Sequence, residues 1–245
     1  MNDNIATGAG YIFRGAKMLT HKDLRLFVII PLLVNIIIFA SLIGAGLSFL
    51  DAQMTQLMGW IPDWLDFIKW ILWPIIGVAF SLMTGYMFTA LAILIASPFN
   101  ALLAEKAEEL ITGQEVDSLE GLGAAVLAVP RGILRELYKL LYYLPMFVFV
   151  LIITFIPVIN AVSPILWFML GAWMMSLQFV DYPMDNHQLA FADVKEAIRT
   201  RRFSAMGFGG MVALCASIPI VNFFVVPSAV VGATLFWCEQ LRTGR

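Results

Sequence analysis

The fold is decided by the stretch Leu140–Val180, LLYYLPMFVFVLIITFIPVINAVSPILWFMLGAWMMSLQFV, which has 41 residues and no charged side chain. A helix of about 20 apolar residues crosses the hydrocarbon core of a membrane, so this run is about twice as long as one crossing requires. Pro157, Asn160 and Pro164 interrupt it near its middle. Because proline ends a helix and asparagine favours a turn, the run is predicted to fold back as a helical hairpin.

A second run, Phe203–Cys238, has 36 residues without a charge and repeats the same pattern. The sequence IPIVN begins at Ile218 and is followed by Pro227, just as IPVIN begins at Ile156 and is followed by Pro164. This weak internal repeat predicts a second helical hairpin.

The arms of these hairpins are short for a membrane crossing. Residues 227–238 would form a helix of roughly 18 Å, whereas the hydrocarbon core is about 30 Å thick. The predicted turns, Val158–Ser163 and Ile220–Val226, contain no charge, although a turn that emerges into water usually would. We therefore predict that residues 140–180 and 203–238 form re-entrant hairpins, which enter and leave by one membrane face. Two ordinary pairs of short spanning helices are the alternative.

Two earlier uncharged runs, Leu26–Leu50 and Ile71–Ala96, each predict one transmembrane helix. The whole chain of 245 residues is 61% hydrophobic and 13% charged, against roughly a quarter charged in soluble proteins. Its apolar runs are continuous and do not alternate as barrel strands do. The sequence thus predicts an all-α integral membrane protein, with residues 1–245 as a single membrane domain. Two long transmembrane helices, two re-entrant (half-penetrating) helical hairpins and interfacial amphipathic helices make up this domain.

Two segments are predicted to lie on the membrane surface, an N-terminal interfacial helix within residues 1–25 and a cytoplasmic amphipathic segment, residues 97–139. In the first, helical spacing places Ile12, Ala16 and Leu19 on one face. In the second, a helix is predicted from Asn100, as N-cap, to Thr112, with a loop after it.

Lysine and arginine are distributed unevenly. With this topology 14 of the 15 basic residues fall on one side, and only Lys69 falls on the other. Basic residues favour the cytoplasm, so both termini are predicted to be cytoplasmic and Asp51–Lys69 to be outside. The net charge of −2 argues against a nucleic-acid partner.

The sequence contains few residues suited to catalysis. It has two histidines and none of the common hydrolase, nucleotide-binding or redox motifs. Asp181, Asp185 and His187 lie within seven residues, but Pro183 interrupts them, and a solvated loop that caps the next helix is the simpler interpretation. We therefore predict no enzyme activity, no metal site and no cofactor.

The candidate binding site for an anion is the turn where the first long helix begins, Thr20-His21-Lys22-Asp23-Leu24-Arg25. The N-terminus of a helix presents unpaired N–H groups, and arginine adds a planar set of donors suited to oxyanions. Ordinary positive-inside anchoring, with the basic side chains reaching to lipid headgroups, is the simpler interpretation of the same residues. Asn160 and Asn222 are candidates to line a wet path at the hairpin tips, or else cap the turns, while Asn35 is predicted to form a hydrogen bond between helices.

The chain as a whole resembles the CysZ sulfate permeases of the bacterial inner membrane, members of the etoposide-induced-protein family. The residues that carry the resemblance are Arg25–Asn35 (RLFVIIPLLVN), Ser97–Glu105 (SPFNALLAE), Asp181–His187 (DYPMDNH), Ala197–Arg202 (AIRTRR), Ile218-Pro219 with Asn222, and Gly232-Ala233-Thr234. The resemblance implies passive, channel-like sulfate entry that supplies cysteine biosynthesis, in a multi-pass protein surrounded by lipid. It also implies homo-oligomers that contain antiparallel protomers, whereas the charge bias predicts one orientation.

Family sulfate sites lie at the start of the first long helix, in a motif like Gly-(Leu/Ile)-Arg-Arg. The resemblance places the sulfate site here at Asp23, Leu24 and Arg25, with Leu26 in place of the second arginine and Asp23 in place of the glycine. Lys22 is the neighbouring cation that would offset Asp23. A non-transporting membrane scaffold or assembly factor is the alternative function.

Overall fold

The chain is mostly helical in the residues that a computed structural model describes, which are 3–60, 62, 66–116 and 129–242. The α-helices, in chain order, are α1 (Ile5–Met18), α2 (Lys22–Met58), α3 (Asp66–Thr112), α4 (Val129–Phe155), α5 (Ser163–Asn186), α6 (Phe191–Thr200), α7 (Arg202–Ala216) and α8 (Pro219–Phe236). A 3-10 turn, Ile159–Val162, leads into α5, and a π-helical turn, Trp237–Leu241, follows α8. The predicted all-α fold class is confirmed.

Two compact units make up the chain. One consists of Met1–Phe27 and Pro98–Arg245, and the other of Val28–Ser97. The second unit contains most of α2 and the first part of α3, and its apolar side chains are largely exposed. Within it, the rings of Phe39 and Phe88 lie 4.6 Å apart. The Asn35 side-chain oxygen is buried and has no partner among the described residues, so the predicted hydrogen bond is not found there.

Helix α1 packs between α7 and α8 in the first unit. Small residues allow this close approach, because a Cβ atom at Gly8 would overlap the carbonyl oxygen of Ser204, and one at Gly15 would overlap that of Ser228. Ile12, predicted to face the membrane surface, is only 4% exposed and belongs to the protein core. Ala16 of the same predicted face is exposed and Leu19 is half-buried, so protein covers this face only in part.

The first hairpin, α4 and α5, turns close to the predicted position. Val158 has a φ of 74°, and the Asn160 amide donates to the Ile156 carbonyl at 2.9 Å. The indole N–H of Trp167 on α5 donates to the Thr154 hydroxyl on α4 at 3.1 Å, which ties the two arms together near the tip.

The turn of the second hairpin differs from the prediction. The break between α7 and α8 lies at Ser217 and Ile218, so the predicted turn at Ile220–Val226 is wrong. Pro219 occupies the first position of α8, where its missing N–H is not needed. Asn222 and Pro227 therefore lie inside α8.

Helix α3 is longer than the sequence indicated. It continues without a break from Asp66 to Thr112, so the separate helix predicted to start at Asn100 is not formed. Gly113, with a φ of 70°, follows the last helical residue, and its amide donates to the Glu109 carbonyl at 2.8 Å. The loop predicted after it lies mostly outside the described residues.

Candidate anion-binding site

The predicted anion site lies at the start of α2. Its first turn contains Lys22, Asp23, Leu24 and Arg25, of which Leu24 is fully buried and the other three are exposed. Leu24 belongs to the same apolar core as Leu103 of α3. The buried leucine therefore fixes this turn to the protein and leaves the charged side chains on the surface.

Arg25 is oriented by the backbone that precedes the helix. Its Nε donates to the Thr20 carbonyl at 2.9 Å. Among the described residues, its two terminal amino groups have no hydrogen-bond partner and are available to an anion. The amides of Lys22 and Asp23 are in the first turn, where no preceding helical carbonyl can accept from them. These donors and charges suit a tetrahedral oxyanion.

Asp23 places a negative charge in the same turn. Its carboxylate lies 3.5 Å from Nδ1 of His21. The charge of Asp23 also acts on Lys106 of α3, a cation that sequence reasoning missed. The pKa of Lys106 is raised first by its hydrogen bond to Glu109, at 2.6 Å, and further by the charges of Glu109 and Asp23. The amphipathic pattern of residues 100–112 places Lys106 on a polar helix face, but no signal in the sequence places it near Asp23.

A second polar cluster surrounds Asp181 of α5. The Asp181 carboxylate accepts from Arg135 Nε at 2.9 Å and Nη2 at 2.6 Å, and it lies 2.7 Å from Lys139 Nζ. Asp185 lies 2.8 Å from Arg135 Nη1. Asp181 and Lys139 are only 5% and 2% exposed, so these ion pairs are shielded from water. The solvated loop expected at Asp181 is therefore wrong, because residues 181–186 continue α5.

Glu108 of α3 is the centre of a third cluster. Its Oε1 lies 2.8 Å from both His187 Nε2 and Arg242 Nη1, whereas its buried Oε2 has no partner among the described residues. His187 thus pairs with Glu108, while Asp181 and Asp185 pair with Arg135. The histidine and the two aspartates do not come together as metal ligands would.

Of the two asparagines that are candidates to line a path, only Asn160 lies in a hairpin turn. Asn160 is in the 3-10 turn and Asn222 is in the first turns of α8. Both are exposed, and neither side chain has a hydrogen-bond partner in the described part of the chain. The structure gives no contact between either asparagine and the turn at Lys22–Arg25.

These features define an all-α, multi-pass membrane protein. Five segments of the described residues are long and apolar enough to cross a membrane: Lys22–Gln56, Phe67–Thr89, Gly132–Phe155, Ile159–Asn186 and Phe224–Leu241. The chain belongs to the family described as Sulfate transporter CysZ/Etoposide-induced protein 2.4, whose sequence model matches residues 11–227.

Individual relatives match along almost their whole length. The chain is 40% identical to "Sulfate transporter CysZ" of Pseudomonas fluorescens over 236 residues, which are 96% of this chain and 94% of the relative. It is 42% identical to the protein of the same name from Salmonella typhimurium over 237 residues, 96% of this chain and 93% of the relative. The family resemblance is confirmed, and it is a family of transporters and not of enzymes.

Proposed function

We propose that this protein carries sulfate across the bacterial inner membrane by a passive, channel-like path and so supplies sulfur for cysteine biosynthesis. Its relatives of about 40% identity are named sulfate transporters over nearly their full length. The observation that carries the proposal is Arg25, an exposed residue at the start of α2 whose terminal amino groups have no hydrogen-bond partner among the described residues.

Sulfate is a dianion, and its passage through hydrocarbon needs compensation, since even one buried monovalent charge costs roughly 3 kcal/mol or more. A protein path must replace the water around the ion and still hold it weakly enough for release. Lys22, Arg25 and Lys106 supply positive charge at the entrance, while Asp23 limits how tightly the ion is held. This balance suits a site that loads and releases quickly.

The rest of the path is proposed to run between the hairpins, with Asn160 and Asn222 at its wall and the hairpins re-entrant in the membrane. We further propose a homo-oligomer embedded in lipid, because two hairpins that do not cross the membrane need neighbours to cover the polar backbone at their tips. Cysteine replacing Val158, after Cys215 and Cys238 are changed to alanine, should then be protected from an impermeant thiol reagent added from outside. Rapid labelling at Val158 would instead favour full spans.

Uptake of radioactive sulfate into proteoliposomes tests the function. Wild-type protein should accelerate uptake at the same rate with and without a proton gradient, as a passive path requires. Arg25→Ala should slow uptake by roughly tenfold or more, because it removes a charge-assisted contact worth about 1.5–3 kcal/mol. Lys17→Ala, which removes an exposed cation of α1, is the control and should leave uptake unchanged.

Two outcomes would contradict the proposal in different ways. No uptake by well-folded wild-type protein would exclude transport by this chain alone and favour the scaffold function. Normal uptake by well-folded Arg25→Ala protein would keep transport but remove the site from the start of α2.

A further inference from the structure

The junction between α6 and α7 concentrates positive charge on a small surface. Arg199, Arg201 and Arg202 lie within four residues, and Phe203 follows them. Helix α6 is fixed by the buried side chains Val194, Ala197 and Ile198, so its opposite side is presented outward. Arg199 and Arg202 are exposed, and Phe203 is 49% exposed.

The chain itself already places one anion beside this surface. The Asp3 carboxylate accepts from the backbone amides of Phe203, at 3.2 Å, and Ser204, at 2.7 Å. Burial alone would raise the pKa of Asp3, but these hydrogen bonds and the charge of Arg201 lower it. The first turn of α7 is therefore already capped, and any further anion must bind to arginine side chains.

Arg199 and Arg202 remain available for that purpose. Neither has an acidic side chain within ion-pair distance in the described part of the chain, and Glu196, on the same helix, pairs with neither. The Arg202 guanidinium lies over the Phe203 ring, 5.1 Å from its centroid. A guanidinium stacked in this way keeps N–H groups at its edge, where they can bind a phosphate.

The position of the junction indicates where such a phosphate would come from. It follows the candidate span Ile159–Asn186 and precedes the apolar helix α7, as expected of a connection at the membrane boundary. Lipid headgroups lie at that boundary, and basic residues beside it attract anionic lipids. An exposed phenylalanine next to the arginines can contact the glycerol and upper acyl region.

We propose that Arg199, Arg202 and Phe203 bind the headgroup of an anionic phospholipid, with the arginines on its phosphate and the ring against its glycerol end. A zwitterionic lipid fits less well, because its own cation would face two unneutralised arginines. This interaction does not depend on sulfate being the transported ion.

Native mass spectrometry of the detergent-solubilised full chain, without sulfate, tests this surface. Titration with dioctanoyl phosphatidylglycerol should give a retained adduct at concentrations at least tenfold below those needed for dioctanoyl phosphatidylcholine. Arg199→Gln with Arg202→Gln should weaken phosphatidylglycerol binding by roughly thirtyfold, from the two charges removed. Size-exclusion chromatography establishes that this variant remains folded.

Matched controls separate the junction from general charge effects. Lys17→Gln removes an exposed positive charge from α1 and should leave lipid binding unchanged, while Arg199→Gln and Arg202→Gln alone should each give part of the loss. Inorganic phosphate at equal ionic strength should not displace the lipid, and full displacement would show a site for free phosphate instead. Equal binding of both lipids by wild type, or unchanged binding by the double variant, would overturn the proposal.

Discussion

The Arg135 guanidinium of α4 holds the Asp181 carboxylate of α5 through Nε at 2.9 Å and Nη2 at 2.6 Å, and Lys139 Nζ approaches the same carboxylate at 2.7 Å. The buried Asp181 carboxylate thus pairs with two cations, Arg135 and Lys139, at the base of the first hairpin. Arg135 also donates to the Leu189 carbonyl at 2.8 Å, which extends the network to the segment before α6.

Asp181→Asn is expected to destabilise the protein by about 1.5–3 kcal/mol, because Arg135 and Lys139 lose their shared, shielded partner. The loss is limited because Asp185 still pairs with Arg135 and Glu136 with Lys139. Thermal unfolding in detergent, followed by tryptophan fluorescence, measures the change. The control is Glu115→Gln, which alters an exposed carboxylate and should leave the midpoint where it is. Equal midpoints for wild type and Asp181→Asn would mean that the network adds nothing to stability.

The close packing of α1 gives a second prediction. Gly15→Ala should destabilise the protein by roughly 1–3 kcal/mol, because the new methyl group would overlap the backbone of Ser228 and Gly232, which cannot move aside as a side chain can. The measurement is the unfolding midpoint in detergent.

Gly10 of the same helix provides the matched control. Apart from the neighbouring backbone of its own helix, no atom lies within 4 Å of a Cβ atom built at Gly10. Gly10→Ala should therefore stabilise the protein by about 0.5–1 kcal/mol, the usual gain of alanine over glycine inside a helix. Similar effects of the two substitutions would show that α1 does not pack against α8 as closely as described.

The sequence was sufficient for the helical class and for the first hairpin, because Pro157 and Asn160 both interrupt the helix where it turns. It failed at the second hairpin, where the same pattern begins with Pro219 at the first position of a new helix and leaves Asn222 inside that helix. A repeated motif predicts that a break occurs nearby, but tertiary packing decides on which side of the proline the helix lies.

Ion pairs between residues far apart in sequence could not be predicted from local sequence patterns either. Asp181 lies 46 residues from Arg135, and His187 lies 79 residues from Glu108. Sequence spacing grouped Asp181 with His187, whereas the fold gives each a different partner from another helix. At the start of α2 the charged residues were predictable, because they are adjacent in sequence, but Lys106 was not, since α3 brings it near from far along the chain.

The contact between the N-terminal segment and α7 should depend on pH through Asp3. Its pKa is lowered in the folded protein by hydrogen bonds from Ser204 and Phe203 and by Arg201, which outweigh the effect of burial. Because the folded state then favours the carboxylate, this contribution to stability is present above the ordinary pKa of 3.8 and is lost as the pH falls through the lower folded value.

Unfolding midpoints of wild type and Asp3→Asn, compared at pH 6 and at pH 3, measure this effect. Wild type should be the more stable protein at pH 6, and the difference should shrink at pH 3. A difference that stays constant between the two pH values would show that the charge of Asp3 does not contribute.

Asp23 is where this chain departs from the family pattern at its proposed sulfate site, and its removal gives the last prediction. Asp23→Gly should strengthen sulfate binding by roughly three- to tenfold, since a negative charge near a bound dianion is unfavourable and an exposed pair is partly screened. Glycine also weakens a helix, so Asp23→Asn serves as a second variant that keeps the length of the side chain. Titration of sulfate must be carried out at fixed, low ionic strength, because salt screens exposed charges. Lys106→Gln should weaken binding in the same titration if Lys106 supplies the charge that Leu26 cannot. Should both Asp23 variants bind sulfate as wild type does, the ion does not lie beside this turn, and Arg131 and Arg135 become the next candidates.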